Sequence, residues 1–185
     1  KVSRLRLPGM AAGIVYDKEL IWAKGFGFAD IERQKPATPK TIYRIASISK
    51  TFTATAIMQL RDRGLLQLDD PVSKHLMWFK FKNRFPEAPT ITIRHLITHT
   101  SGLPRESPFS YWNDYNFPTR EEMIECLQKQ ENAYPAETRF KYSNLALAIA
   151  GEVVAKVAKQ PYEKYIQENI FDPLKMASSS VNLPK

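Results

Sequence analysis

Strand-like patterning is confined to one end of this chain. Met10–Tyr16 (MAAGIVY) and Leu20–Ala29 (LIWAKGFGFA) are apolar, partly β-branched runs separated by Asp17-Lys18-Glu19. That spacing predicts a hairpin with a three-residue loop. Everything after about Ser47 is patterned for helices and loops. Two strands do not make a sheet core, and an isolated hairpin is marginal in water. Any fold available to this sequence must therefore cover the hairpin with further strands or with helices.

The helical signals are local and specific. In Ser47–Arg63 the apolar residues Ile48, Phe52, Ala56, Ile57 and Leu60 fall at three- and four-residue steps, and Gly64 stands where a helix stops. Leu68-Asp69-Asp70-Pro71 reads as a turn opening a short helix with aspartates at its positive end. Ile91–Thr98 fits strand or helix. Thr119-Arg120-Glu121-Glu122 is a capping box for a helix reaching about Gln130. Asn144–Lys159 is the most apolar helix, rich in small residues, and Tyr162–Ile170 is a last short one stopped at Asp172-Pro173. Residues 78–90 and 100–118 are Pro-bounded loops, the second long enough to suggest a functional role.

Composition narrows the class. With 185 residues, 43% apolar and 25% charged, the chain is an ordinary globular domain and not a disordered or fibrous one. No run approaches the roughly 20 apolar residues of a membrane-spanning helix. The single Cys126 excludes an intrachain disulfide framework and a multi-cysteine metal site. The net charge of +8 and the alternating rings and cations of Trp78–Phe85 permit single-strand nucleic-acid binding. A solvated surface loop with its rings tucked under is the simpler reading, and no specific nucleic-acid partner is expected.

Three patterns can carry chemistry. Ser47-Ile48-Ser49-Lys50 is an S-x-x-K match at a helix start. A backbone N–H there can bind a developing oxyanion, and Lys50 returns to the face of Ser47 three residues on. About one such match is expected by composition alone in a chain this size. Y-x-N occurs as Tyr111-Trp112-Asn113, in the aromatic loop, and as Tyr142-Ser143-Asn144, on the link before the apolar helix. A phenol held there can act as general base for a serine, so Tyr142 is preferred over Tyr111. Tyr111 and Trp112 can line a ligand cleft. His95 and His99, four apart, are expected on one helix face, but Leu96 occupies the place of the glutamate in H-E-x-x-H and no third ligand is evident. No metal is expected. Gly25-Phe26-Gly27 lacks the third glycine of a nucleotide fingerprint and reads as strand or bulge glycines.

Together the pieces resemble the serine β-lactamase-like superfamily of penicillin-recognising hydrolases, most of all its class C β-lactamase, D,D-peptidase and esterase branch. Leu7-Pro-Gly-Met-Ala-Ala-Gly-Ile-Val15 resembles the first core strand and Phe26-Gly-Phe-Ala-Asp30 the end of the second. Tyr43-Arg-Ile-Ala-Ser-Ile-Ser-Lys-Thr-Phe-Thr-Ala54 is similar to the nucleophile segment, and Leu66-Gln-Leu-Asp-Asp-Pro-Val72 to the turn after its helix. Ile91-Thr-Ile-Arg-His-Leu-Ile-Thr-His-Thr-Ser-Gly-Leu103, Phe140-Lys-Tyr-Ser-Asn144 and Ile170-Phe-Asp-Pro-Leu-Lys-Met176 follow in the family's order.

The resemblance implies an α/β (α+β) β-lactamase/transpeptidase-like fold. Residues 1–46 would give two strands of the α/β subdomain and 47–176 the helical subdomain. It implies a serine hydrolase working through an acyl-enzyme on a β-lactam, a D-amino-acid peptide or a small ester, without cofactor or metal. Ser47 would be the acylated nucleophile, Lys50 its proton partner, Tyr142 the general base and Asn144 a substrate-amide contact near Lys50. His99 and the Thr100–Leu103 turn would be structural. A catalytically silent ligand-binding or scaffolding member of the same fold is the alternative. An exported location, periplasmic or extracellular, is the family's usual one.

Three departures stand out. Ala136-Glu137 replaces the family's usual Pro-Gly, and Lys175 its glycine before Met176. Each is costly if the backbone there has positive φ. The third motif, K-T-G or H-x-G on a later strand, is absent from residues 1–185. The remaining sheet is thus expected from a C-terminal half, and residues 1–185 alone are expected to be inactive and aggregation-prone.

Overall fold

The structure, a computed structural model, describes residues 7–109 and 118–182. Two compact units form, residues 1–45 and 46–185.

The first unit is an antiparallel sheet of order β1-β2-β3, made of Gly9–Tyr16, Glu19–Asp30 and Lys35–Pro36. The hairpin turn is one residue shorter than the sequence suggests. Glu19 pairs with Tyr16, and Asp17 and Lys18 both take positive φ, 47° and 67°. Two such residues make the turn whose twist matches the flanking strands. A bulge between Ile14 and Val15 absorbs the register shift. The short β3 was not legible because a proline sits in it, which only an edge position tolerates. The chain just after β3 lies so close that a Cβ on Gly25 would be 2.0 Å from the Ala37 carbonyl oxygen. Gly25 is thus a strand glycine, one of the two readings its sequence allows, and the close approach is what requires it. No residue of β1 or β2 is buried: Ile14, Val15, Tyr16, Leu20 and Ile21 are all more than half exposed.

The second unit is helical and holds the core. A 3₁₀ turn, Ala46–Ile48, leads into α1, Ser49–Asp62. Ala56, Ile57 and Leu60 of α1 pack on α5, Asn144–Ala158, which buries Leu145, Ala146, Ile149, Ala150, Val153 and Val154. Each large aliphatic buried this way contributes roughly 1.5–3 kcal/mol. Alanines at 146 and 150 and Gly151 keep α5 slim enough for neighbours on several sides. Gly64 closes α1 as expected, with φ 72° and Leu65 N–H donating to the Leu60 carbonyl at 3.0 Å.

The shorter helices follow: α2 Val72–His75, α3 Ile93–Ile97, α4 Arg120–Lys129 and α6 Tyr162–Ile166. The α4 capping box forms, with Thr119 Oγ1 accepting from Glu122 N–H at 3.2 Å and Glu122 Oε2 from Thr119 N–H at 2.7 Å. The last helix is shorter than its pattern. It widens after Ile166 into a π-helical segment, Gln167–Phe171, and Asp172 N–H reaches the Gln167 carbonyl at 2.9 Å. The rings of the basic stretch turn inward: Phe79 is buried, and Trp78 and Phe81 pack against the core. They form no exposed stacking row. Among the described residues no helix is long and apolar enough to cross a membrane.

Candidate active site

Ser47 sits in the 3₁₀ turn that feeds α1, directly after Ala46, whose φ is +45°. A β-carbon makes that conformation costly, and such strain concentrates where a side chain must be aimed. Ser47 is exposed. Helical geometry returns Lys50 to its side, and Lys50 Nζ donates to Ser47 Oγ at 3.2 Å. The third member comes from across the unit. Tyr142 Oη donates to the same Ser47 Oγ at 2.7 Å.

Tyr142 is fixed by its surroundings. The His99 ring stacks on it at 4.5 Å between centroids, tilted by 33°. His99 also accepts the Ser143 N–H at Nδ1 (3.2 Å), which leaves the ring proton on Nε2 in the neutral form. Its own carbonyl accepts Lys141 N–H at 2.8 Å. Ser143 Oγ donates to the Pro104 carbonyl at 2.6 Å and caps α5 by accepting Ala146 N–H at 2.9 Å. Asn144 N–H reaches the Arg105 carbonyl at 2.7 Å. Residues 141–145 are thereby zipped to 99–105, and the phenol is presented as a rigid group.

The charges around the phenol favour its ionised form. A hydrogen bond from Lys50, then the one with Ser47, pull the Tyr142 hydroxyl below its ordinary range, helped by the positive charges of Lys50 and Arg105 and opposed by partial burial. Lys50 Nζ lies 5.0 Å and the Arg105 guanidinium 5.3 Å from the ring centroid. The His99 imidazole is pushed down, by burial first and by Lys50 second, so it stays neutral near pH 7.

Ser47, Lys50 and Tyr142 are thus brought together. Asn144 is engaged elsewhere: its Nδ2 donates to Glu106 Oε1 at 2.5 Å, and it makes no hydrogen bond to Lys50. Tyr111 and Trp112 lie outside the described residues. The two histidines do not share a helix face. His99 falls beyond α3 in the left-handed region, φ 60°, whereas His95 is buried, takes the Thr92 N–H at Nδ1 and pairs through Nε2 with Glu137 Oε1 at 2.8 Å. Among the described residues no three His, Cys, Asp or Glu side chains converge as a metal site would need. Sequence reasoning missed Arg105 and Glu106. No local pattern marks them, and only the loop-to-helix zipper brings them to Tyr142 and Asn144.

A family model described as Beta-lactamase matches residues 2–185. The chain belongs to the beta-lactamase family. Among beta-lactamase relatives, "Beta-lactamase-like protein 2" of Dictyostelium discoideum is 41% identical over 174 residues, covering 91% of this chain and 32% of that protein. "Protein flp" of Staphylococcus aureus (strain COL) is 37% identical over 179 residues, covering 94% and 35%. The chain spans about a third of the length of these curated relatives.

Solved beta-lactamase-like structures agree on the fold. The octameric penicillin-binding protein homologue from Pyrococcus abyssi superposes with a TM-score of 0.83 at 35% identity, over 95% of this chain and 41% of its own. A beta-lactamase/D-alanine carboxypeptidase from Yersinia pestis, complexed with citrate, gives 0.81 at 27% identity, over 96% and 51%. EstCE1, a hydrolase with promiscuous acyltransferase activity, gives 0.79 at 29% identity, over 94% and 48%. The fold is therefore beta-lactamase/transpeptidase-like, with a three-stranded antiparallel sheet and helices standing for part of that domain. The superfamily is one of serine hydrolases.

Proposed function

We propose that this chain carries the nucleophile and the general base of a serine acyl-transfer enzyme. The observation that supports it most is the convergence of Lys50 Nζ and Tyr142 Oη on a single exposed hydroxyl, Ser47 Oγ. With Tyr142 ionised, its oxygen takes the Ser47 proton as Oγ bonds to the substrate carbonyl carbon. The Lys50 ammonium stabilises the phenolate and the negative charge that moves onto the tetrahedral oxygen. Tyr142 then returns the proton to the leaving nitrogen or oxygen as the C–N or C–O bond breaks, leaving an ester on Ser47. Water, or an amine acceptor, attacks that ester with Tyr142 again accepting the proton, which it passes to Ser47 Oγ as the acyl C–Oγ bond breaks, so that Ser47 is regenerated.

The substrate is an amide or ester: a β-lactam, a D-amino-acid peptide or a small ester. The names of the relatives include a carboxypeptidase and a hydrolase with acyltransferase activity, which are reactions of this type. The test is intact mass and peptide mapping of the natural full-length polypeptide after incubation with a fluorophosphonate or with penicillin. A stable adduct on Ser47, lost in Ser47→Ala, is expected. An adduct elsewhere, or none, overturns the proposal.

A further inference from the structure

Arg105 stands out among the charged groups around Ser47. Its guanidinium lies 5.3 Å from the centroid of the Tyr142 ring, the ring whose hydroxyl touches Ser47. Its backbone is locked, because the Arg105 carbonyl accepts Asn144 N–H at 2.7 Å and Leu145 N–H at 3.3 Å, and the neighbouring Pro104 carbonyl accepts Ser143 Oγ at 2.6 Å. A cation on a backbone held this firmly is cheap to use for recognition, since little ordering remains to be done on binding.

Its pairing among the described residues is incomplete. Among the described residues its ion-pair partner is Glu106, and only through Nε at 3.4 Å, while the side chain stays 64% exposed. The same Glu106 oxygen is more tightly taken by Asn144 Nδ2, at 2.5 Å. A guanidinium offers five donors in a planar fork that fits a carboxylate, and one loose contact uses little of that capacity. Among the described residues the other cation at the ring is Lys50, already engaged with Ser47.

We propose that Arg105 is a specificity-determining residue that receives a carboxylate on the acyl portion of the substrate, held beside the Tyr142 ring while Ser47 attacks. This rests on the reading of Ser47 as nucleophile. The occupant is an acyl chain with its carboxylate a few bonds from the scissile carbonyl. Lysine, a point charge without the planar fork, replaces it only in part.

The test uses the natural full-length polypeptide and two esters of 4-nitrophenol that differ at one end: the mono-ester of glutaric acid and the matched ester of glutaramic acid. The ratio of their kcat/KM values is the readout, with Ser47 labelling by a neutral fluorophosphonate followed in parallel. The wild type is expected to favour the carboxylate. Arg105→Gln is expected to lower that preference by about 10–100-fold, as loss of a charged partner in a recognition site does. Arg105→Lys is expected to give an intermediate ratio. A ratio unmoved within about twofold by Arg105→Gln overturns the proposal. So does an equal loss on both esters with the pH profile displaced, which would make Arg105 a modulator of Tyr142 only. If the wild type turns over neither ester and Ser47 takes no label, the reading of Ser47 fails and the role of Arg105 with it. Turnover and labelling at Ser47 with an unmoved ratio overturn the role of Arg105 alone.

Discussion

Tyr142 and Ser47, 95 positions apart in the chain, share a 2.7 Å hydrogen bond. Neither lies on the element of the other. Ser47 is delivered by the strained turn before α1, and Tyr142 by the link before α5. The packing of α1 on α5, through Ile57, Leu60, Ala146 and Ile149, is what sets this distance. The core and the candidate site are thus one construction, with the small residues of α5 permitting the approach.

Removing only the phenolic oxygen tests the role given to it. Tyr142→Phe is expected to slow acylation of Ser47 by about 100-fold or more, the range general-base catalysis supplies. The helical circular dichroism is expected to persist, since the His99 stack needs only the ring. Tyr111→Phe is expected to leave the rate within a few-fold. Equal losses, measured by the rate of Ser47 adduct formation, would remove the distinction between the two Y-x-N segments.

The pH dependence follows from the charges. In the proposed mechanism the reactive form is the phenolate, and the Tyr142 hydroxyl is held below its ordinary 10.0 by its hydrogen bond to Lys50 before any other cause. The kcat/KM profile should therefore rise with pH along a limb below that of a free phenol. Lys50→Met removes the cation that favours phenolate. Its residual activity should rise only at higher pH, and a limb that stays in place or moves down would contradict the assignment.

Acid stability has a separate source. Asp70 is nearly buried, which by itself raises its pKa, yet hydrogen bonds from Lys74 Nζ (2.6 Å), Gln67 N–H (2.9 Å) and His75 Nε2 (2.9 Å) outweigh burial and hold it at about 2. A carboxyl depressed in the folded state stabilises fully above its unfolded value, near 3.8, and that contribution disappears as pH falls toward 2. Melting temperature should decline through this window. Asp70→Asn should flatten that decline and cost on the order of 1–3 kcal/mol at neutral pH through lost charged hydrogen bonds.

Both departures from the family's glycines fall at positive φ, 65° at Glu137 and 56° at Lys175. They differ in what the side chain gives back. Glu137 accepts from the buried His95, whereas Lys175 makes no side-chain hydrogen bond or ion pair among the described residues. Lys175→Gly should stabilise by about 1 kcal/mol, offset in part by unfolded-state entropy. Glu137→Gly should gain less or lose, because it strands the His95 N–H. Chemical denaturation of the two variants distinguishes these outcomes.

Legibility in the sequence followed the range of the interaction. The α1 stop at Gly64, the α4 capping box and the apolar run of α5 are decided within a few residues, and each can be read directly. Lys50 is likewise one helical turn from Ser47. The two-residue hairpin loop is hard to read because Asp17-Lys18 lacks the glycine that usually advertises two positive-φ positions. The π-helical end of the last helix has no marker, since its pattern at 162–170 is that of an ordinary helix. Arg105 and Glu106 belong to the same class of difficulty. Their relation to Tyr142 and Asn144 is made by backbone hydrogen bonds between segments some 40 residues apart, and side-chain identity plays little part in those.

The lack of any buried residue in β1 and β2 bears on how slowly backbone amides trade their protons with solvent. An amide on α5 sits over seven buried side chains, so it reaches deuterated water only when the helical core opens as a whole. Amides of the β1–β2 ladder need only local fraying, because none of the side chains on those strands is fully buried. Isotope uptake should split into two classes by orders of magnitude, with Ile14–Trp22 exchanging early and Leu145–Val154 late. Any partner surface that covers the hairpin would announce itself by moving the first class toward the second.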